Sequence, residues 1–336
     1  MTPVTIAAII GATIGCAPLT AYPSVAMAPL RFERADDPSR PSSLAIPGLG
    51  PCRSDPEGGI TVDAERSVVV LVHGYHSSPG RFTALARVLE TQGQQALCFS
   101  YDDHESLEES AGRLVAALEA LKPHLASRHI TVLGHSQGGL IARRALVGDR
   151  PGALRDGDGF RYQLVTVSSP FHGIQSSADC GSIFLRVMSL GVTAGVCRMI
   201  AGAMWSEIYP RSSFIRHPGT LLASVERNVQ IVTDERSTCR RRDATGRCLK
   251  SDFVFTLTEQ YGPLADGDAR GESAEVKAGH AEIVGESGNR PSKLLRVLQE
   301  RQILTMPAPA PRRETFAAIA RRLASNETSL LSARRP

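Results

Sequence analysis

Residues 134–138 (GHSQG) fit the pattern G-x-S-x-G. They lie between a β-branched apolar run at residues 130–133 and a helical pattern at residues 140–147, which predicts a sharp turn from a buried strand into a helix. The glycines allow a turn that larger side chains would block. Such a turn exposes the serine Oγ at a helix N-terminus, where the helix dipole favours developing negative charge. The pattern therefore predicts Ser136 as a nucleophile.

A serine hydroxyl at its ordinary pKa needs a general base. In chains with this turn, the usual order is nucleophile, then acid, then base. His135 is too close to the turn, and His172 and His217 come before the expected acid. His280 follows a short strand pattern and a glycine, ahead of the last predicted helix, which is the position that the base requires. We therefore predict His280 as the general base.

The acid has more than one candidate. Asp266 lies in a loop 14 residues before His280, and its Asp-Gly step suits a tight turn that would direct the carboxylate toward His280 Nδ1. Asp268 lies two residues further on, and Asp234 ends a predicted strand at residues 229–232. We predict Asp266 as the acid and retain Asp268 and Asp234 as alternatives.

An oxyanion hole needs two N–H donors, which we assign to the backbone of Gln137, directly after the serine, and of Tyr75, after the first core strand. Gly74 would let this loop approach the substrate closely. His73 and His76 have no third candidate ligand nearby, so we expect no metal. We also expect no cofactor.

Strand-like and helix-like patterns alternate along the chain, which predicts βαβ units and a mostly parallel sheet with helices on both faces. The Ser136 turn, His73 and Ser168 then lie at carboxyl ends of strands, where sites form in such sheets. Residues 183–205 are apolar and glycine-rich and predict a small helical cap. The predicted strands are residues 67–72, 95–101, 130–133, 162–167, 229–232 and 253–257, and the helices are residues 82–92, 107–125, 140–147 and 294–304.

The chain has 336 residues, of which 42% are hydrophobic and 21% charged, as in soluble globular proteins. Its net charge is only +4 and aromatic residues make up 5%, which argues against a nucleic-acid partner. We expect four segments: residues 1–28 as a signal-like N-terminus, 29–65 as an irregular lead-in, 66–304 as one α/β domain with a cap at 174–226, and 305–336 as a C-terminal tail.

Residues 4–15 are apolar but too few to span a bilayer as a helix, and Cys16 follows them. Residues 13–16 (TIGC) resemble a bacterial lipoprotein signal, in which the cysteine is lipidated. This pattern predicts an exported protein, either periplasmic, attached to a membrane through Cys16, or secreted. The six other cysteines suggest two local disulfides, Cys180–Cys197 and Cys239–Cys248, the second closing a hairpin.

Four segments together resemble bacterial α/β-hydrolase lipases and esterases, including the branch similar to GPI-inositol deacylases. They are residues 70–75 (VLVHGY), 134–139 (GHSQGG), 167–173 (VSSPFHG) and 279–280 (GH). The resemblance implies an α/β-hydrolase fold and a serine ester hydrolase that forms an acyl-enzyme on lipid or acyl-ester substrates. Residues 265–267 (ADG) match the family's usual acid step in part, whereas Asp268 and the Cys239–Cys248 insertion depart from it.

Two alternative functions fit the same residues. An acyltransferase would use the same acyl-enzyme with an alcohol as acceptor, and a non-catalytic envelope protein would use the scaffold for binding only. The presence of serine, histidine and acid candidates together disfavours the binding protein.

Overall fold

The computed structural model describes residues 43–55, 58–175, 204–285 and 290–304. In this part of the chain a seven-stranded sheet has the order β1-β3-β2-β4-β5-β6-β9. Only β1 is antiparallel to its neighbour, and every other pairing in this sheet is parallel. Its strands are β1 Leu49–Gly50, β2 Val68–Val72, β3 Gln95–Phe99, β4 His129–His135, β5 Arg161–Val167, β6 Val225–Asp234 and β9 Gly271–Lys277, and a separate hairpin is formed by β7 Cys239–Arg242 and β8 Cys248–Ser251.

Helices cover both faces of the sheet, which confirms the predicted α/β architecture. The described helices are α1 Thr83–Thr91, α2 Leu107–Leu121, α3 Gln137–Ala145, α4 Met204–Glu207, α5 Ser213–Arg216, α6 Leu257–Gln260, α7 Pro263–Asp266 and α8 Ser292–Glu300. In β2, Val68 and Val70 pack into the core on the α2 and α3 side, whereas Val69 and Leu71 pack with α1 and α8. This alternation explains the unbroken apolar run, because both faces of the strand are buried.

The predicted strand at residues 253–257 is wrong. The chain there is irregular and then enters α6, which begins with a capping box between Thr256 and Glu259. The N–H groups of Val254 and Phe255 donate to Glu235 at 2.6 and 2.8 Å instead of pairing with a strand. The apolar, β-branched composition predicted a strand, but a buried carboxylate takes these backbone donors.

Two disulfides lie in the described residues. Cys239–Cys248 closes the β7–β8 hairpin as predicted. Cys52–Cys98 joins the lead-in to β3 and was not among the predicted pairs. Next to it, β1 pairs with β3, so the segment expected to be irregular contributes an edge strand. The predicted pair Cys180–Cys197 lies outside the described residues, as does Cys16.

From the predicted cap, α4 and α5 are described. Glu207 of α4 accepts hydrogen bonds from Ser106 Oγ at 2.8 Å and from the N–H of Leu107 at 2.5 Å. These contacts fix α4 at the N-terminus of α2, where a carboxylate interacts favourably with the helix dipole. No helix in the described ranges is both long enough and apolar enough to cross a membrane.

We predict that Cys52→Ala/Cys98→Ala lowers the free energy of unfolding by roughly 2–4 kcal/mol, since a disulfide across this separation restricts the unfolded chain. Urea unfolding of the variant and the parent protein measures the difference. The Cys239–Cys248 disulfide closes a much shorter loop, so the matched variant Cys239→Ala/Cys248→Ala should lose less free energy of unfolding. Equal losses in both variants would contradict this prediction.

Candidate active site

The Ser136 turn has the backbone geometry that the sequence predicts. Ser136 joins β4 to α3 with φ 57° and ψ −128°, a conformation that side-chain-bearing residues rarely adopt. A Cβ at position 134 would overlap the carbonyl of Gly138, and one at position 138 would overlap the carbonyl of Val72. The glycines are therefore required by close backbone packing, which holds the serine at the start of α3.

The loop after β2 packs directly against the nucleophile. A Cβ at Gly74 would lie 2.8 Å from Ser136 Cβ, so only glycine allows this approach without displacement. Tyr75 and Gln137 line one cavity of about 280 Å³ together with Ser136 and His280. Gln137 is the first residue of α3, where backbone N–H groups have no partner within the helix. The structure thus brings together four of the five predicted site residues.

His280 follows β9 and is connected to the serine turn through His135. The His135 Nε2–H donates to the carbonyl of His280 at 2.9 Å, and the two ring centroids lie 4.7 Å apart. Burial lowers the pKa of His135 well below its ordinary value, and the neighbouring His280 lowers it further. A neutral His135 therefore serves as a donor that connects His280 to the turn at Ser136.

The carboxylate at His280 belongs to Glu235. The His280 Nδ1–H donates to Glu235 Oε1 at 2.8 Å, and Ser168 Oγ donates to the same oxygen at 2.7 Å. The backbone N–H groups of Val254 and Phe255 donate to Oε2. The Glu235 side chain is fully buried, whereas that of His280 is 12% exposed. With its proton on Nδ1, His280 presents an unprotonated Nε2, which is the form a general base requires.

Burial opposes ionisation of Glu235, but its hydrogen bonds and the adjacent His280 bring the carboxyl pKa below the ordinary value. The ionised carboxylate therefore stabilises the folded chain above the unfolded pKa of about 4.3. This contribution is lost as the pH falls through the lower pKa of the folded state.

The prediction of Asp266 as the acid is wrong, because the carboxylate on Nδ1 is that of Glu235. Asp266 ends α7, which precedes β9, whereas His280 follows it. The sequence suggested only a short strand between them. The observed strand has seven residues and is about 23 Å long, which separates the two positions along the sheet.

Neither alternative contacts the base in the structure. Asp268 also precedes β9 and forms an ion pair with Arg270 at 2.6 Å. Asp234 pairs with Arg236 at 2.8 Å, which lowers the pKa of Asp234 to about 2. Asp234 nevertheless identified the correct strand end, one residue from Glu235.

The alternation of side chains along an extended chain could have distinguished Glu235 from Asp234 as the candidate acid. Along an extended chain, positions two apart share a side. Asp234 and Arg236 thus form a matched ion pair on one side, and Glu235 lies on the other with Thr233, whose Oγ1 is 3.0 Å from Glu235 Oε1. Glu235, which has no arginine two positions away on its own side of the chain, was therefore a better candidate for the acid than Asp234.

One group in the described ranges has the spacing of a metal site, namely Asp102, Asp103 and His104. The carboxylate of Asp103 contacts His104 Nδ1 at 2.9 Å and accepts from the N–H of His76 at 2.5 Å. None of the three residues lines the cavity that contains Ser136. The cluster therefore contributes no group to the candidate active site.

Residues 63–197 match the family described as "Putative serine esterase (DUF676)". The matched segment includes Ser136, Tyr75 and Gln137, and it ends before Glu235 and His280. A comparison with curated proteins gives no match. The mostly parallel sheet with helices on both faces and the sharp turn at Ser136 give the chain an α/β-hydrolase fold, and its residues 63–197 are similar to serine esterases.

Solved structures similar to this chain include a Bacillus licheniformis lipase, BlEst2, in mature form, with 15% identity, 75% of this chain and 96% of that chain covered, and a TM-score of 0.46. The propionate-bound esterase Est2 of Thermogutta terrifontis is 14% identical, the match covers 79% of this chain and 90% of that chain, and the TM-score is 0.46. The Pyrococcus furiosus esterase Pf2001 is 17% identical, the match covers 71% of this chain and 81% of that chain, and the TM-score is 0.38. Similarities this low give no information on the substrate.

We predict that Glu235→Gln lowers kcat for ester hydrolysis on the order of 10⁴-fold, because an amide no longer favours the productive tautomer of His280. Asp234→Asn and Asp266→Asn should stay within about twofold of the parent, since neither residue supports the base. Steady-state kinetics of the three variants, with circular dichroism to verify folding, provide the test. A large loss in Asp266→Asn together with a near-normal Glu235→Gln would contradict this assignment.

Proposed function

We propose that the chain hydrolyses acyl esters through a triad of Ser136, His280 and Glu235. Ser136 Oγ attacks the acyl carbonyl while His280 Nε2 takes its proton, and the N–H groups of Tyr75 and Gln137 stabilise the oxyanion. The protonated Nε2 then gives the proton to the leaving alcohol as the acyl–oxygen bond breaks. Water repeats these steps on the acyl-enzyme, which releases the acid and restores the serine.

The observation that carries this proposal is the hydrogen bond from His280 Nδ1 to Glu235, in a cavity that His280 shares with Ser136. A histidine with a buried carboxylate behind it, beside a serine in a strained turn, is the arrangement expected of an activated nucleophile. The same hydrogen bond supports protonation of the leaving alcohol, because Glu235 stabilises the His280 imidazolium that donates the proton.

The cavity wall supports an acyl substrate. One side is apolar and is formed by residues of α3, α4 and the segments next to them, namely Leu140, Ile174, Met204, Trp205 and Ile208. Apolar walls with a few placed polar groups are typical of small-molecule sites. We assign this side to the acyl chain of the ester.

We further propose that the protein is exported and attached to a membrane through a lipidated Cys16. The apolar segment at residues 4–15 followed by Cys16 supports this proposal. The disulfides Cys52–Cys98 and Cys239–Cys248 also support it, because such bonds persist in oxidising compartments.

Replacement of the nucleophile tests the catalytic proposal. Ser136→Ala should lower kcat toward a p-nitrophenyl ester by at least ~10³-fold with the fold retained, since the triad acts as a unit. A fluorophosphonate probe should label the parent protein at Ser136 and leave the variant unlabelled. Labelling that persists in Ser136→Ala would contradict the proposal.

The site of lipidation is tested in a bacterial host that processes lipoproteins. The parent protein should incorporate labelled palmitate and sediment with membranes, whereas Cys16→Ala should do neither, because it lacks the acceptor thiol. Cys239→Ala is the matched control and should still be labelled. Palmitate incorporation in Cys16→Ala equal to that in the parent would contradict the assignment of Cys16.

A further inference from the structure

A second buried carboxylate lies beside the candidate base. Asp252 directly follows β8 of the disulfide-closed hairpin and is only 4% exposed. It takes no part in the steps of the proposed reaction, because the carboxylate on His280 Nδ1 is that of Glu235. Burial of a carboxylate is costly unless hydrogen-bond donors compensate for the lost water. The donors that bind Asp252 therefore show which part of the fold it stabilises.

Three consecutive backbone N–H groups of the loop that carries the base bind Asp252. The N–H of His280 donates to the Asp252 backbone carbonyl at 2.9 Å. The N–H of Ala281 donates to the Asp252 carboxylate at 3.1 Å, and that of Glu282 donates to Oδ2 at 3.0 Å. Asp252 therefore supplies the acceptors at the start of the short helical turn Glu282–Val284, where N–H groups have no partner within the turn.

The glycine before the base is part of the same contact. A Cβ at Gly279 would lie 2.1 Å from Asp252 Oδ2, so a larger residue at this position would displace the carboxylate. The carbonyl of His280, on the other side of its Cα, accepts the hydrogen bond from His135 Nε2–H. The backbone of the base is thus held at its N–H by Asp252 and at its carbonyl by His135.

Asp252 also connects the base to the acid. The Asp252 N–H donates to the carbonyl of Thr238 at 3.3 Å, and Thr238 Oγ1 donates to the carbonyl of Glu235 at 2.5 Å. Shortly after Asp252 in the chain, the N–H groups of Val254 and Phe255 donate to Glu235 Oε2. The two ends of the hairpin therefore contact both partners of the hydrogen bond between base and acid.

We propose that Asp252 is a positioning residue, which fixes the backbone of His280 so that the imidazole stays against Glu235 in the cavity that contains Ser136. Asp252 is not among the residues that line this cavity, so it acts on the reaction only through His280. This inference rests on the proposed ester hydrolysis and names a further residue on which that reaction depends. It also gives the Cys239–Cys248 hairpin a role, because the hairpin ends at Asp252.

Asp252→Asn tests this role with little change in side-chain volume. The amide has one acceptor oxygen where the carboxylate has two, and its NH₂ group would face a backbone N–H donor. Asp243→Asn is the matched control, because Asp243 lies in the turn of the same hairpin and its carboxylate also accepts backbone N–H groups. The donors there are Thr245 and Arg247, so the control makes the same chemical change at a carboxylate that binds hairpin residues.

Gly279→Ala disturbs the same contact from the side of the base. Each variant is compared with the parent protein in kcat and KM for a p-nitrophenyl ester, in labelling of Ser136 by a fluorophosphonate, and in the proton NMR signal of His280 Nδ1–H. The final amount of labelled protein counts the folded sites, whereas the rate of labelling reports how well His280 activates the serine.

We expect Asp252→Asn and Gly279→Ala to lower kcat and the rate of labelling about 10- to 100-fold, since small displacements of a reacting group are costly. KM and the final amount of labelled protein should stay within about twofold of the parent, because the cavity and the fold are retained. The His280 Nδ1–H signal should broaden or shift. Asp243→Asn should match the parent protein in every measurement.

A labelling rate and a His280 signal in Asp252→Asn equal to those in Asp243→Asn would overturn this inference. A smaller amount of labelled protein with an unchanged rate would also overturn it, because Asp252 would then only stabilise the fold. Gly279→Ala decides in the same way if Asp252→Asn does not fold. Failure of the proposed hydrolysis is distinguishable, since the parent protein would then cleave no ester, while the His280 signal would still show whether Asp252 holds the base.

Discussion

The hydrogen bond between His280 Nδ1 and the buried carboxylate of Glu235 is the contact on which the candidate site depends. An ionised carboxylate without exposure to water is costly unless it is fully paired. Glu235 receives its partners from segments far apart in sequence: Ser168 after β5, the N–H groups of Val254 and Phe255, and His280 after β9. These meet because β5, β6 and β9 are parallel neighbours whose carboxyl ends share one edge of the sheet.

A second constraint, close backbone packing, places the nucleophile at the same edge. Gly138 lies against the carbonyl of Val72, and Gly74 lies against Ser136, so β2, β4 and α3 converge at the serine. His135 then connects this turn to His280 by one hydrogen bond. The serine and the base are thus positioned by contacts between strand ends.

The elements that depend on local sequence pattern could be predicted from the sequence. The apolar strand runs, the amphipathic helices and the turn at Ser136 follow from periodicity and glycine placement. The predictions were wrong where contacts between residues far apart in sequence determine the structure. Asp266 was chosen by its turn and spacing, but the length of β9 separates it from His280. Residues 253–257 have strand composition, yet Glu235 takes the N–H groups of two of them. Cys52–Cys98 has no local spacing signal, since it joins the lead-in just after β1 to β3, and β1 and β3 meet only in the sheet.

The central claim is that Glu235 holds the proton of His280 on Nδ1. Proton NMR of protein with ¹⁵N-labelled histidine tests it directly, because a hydrogen-bonded Nδ1–H exchanges slowly and resonates far downfield. We predict such a signal, coupled to the protonated Nδ1 of His280, in the parent protein and in Asp266→Asn, and its loss or strong upfield shift in Glu235→Gln. A signal that persists unchanged in Glu235→Gln and disappears in Asp266→Asn would contradict the account.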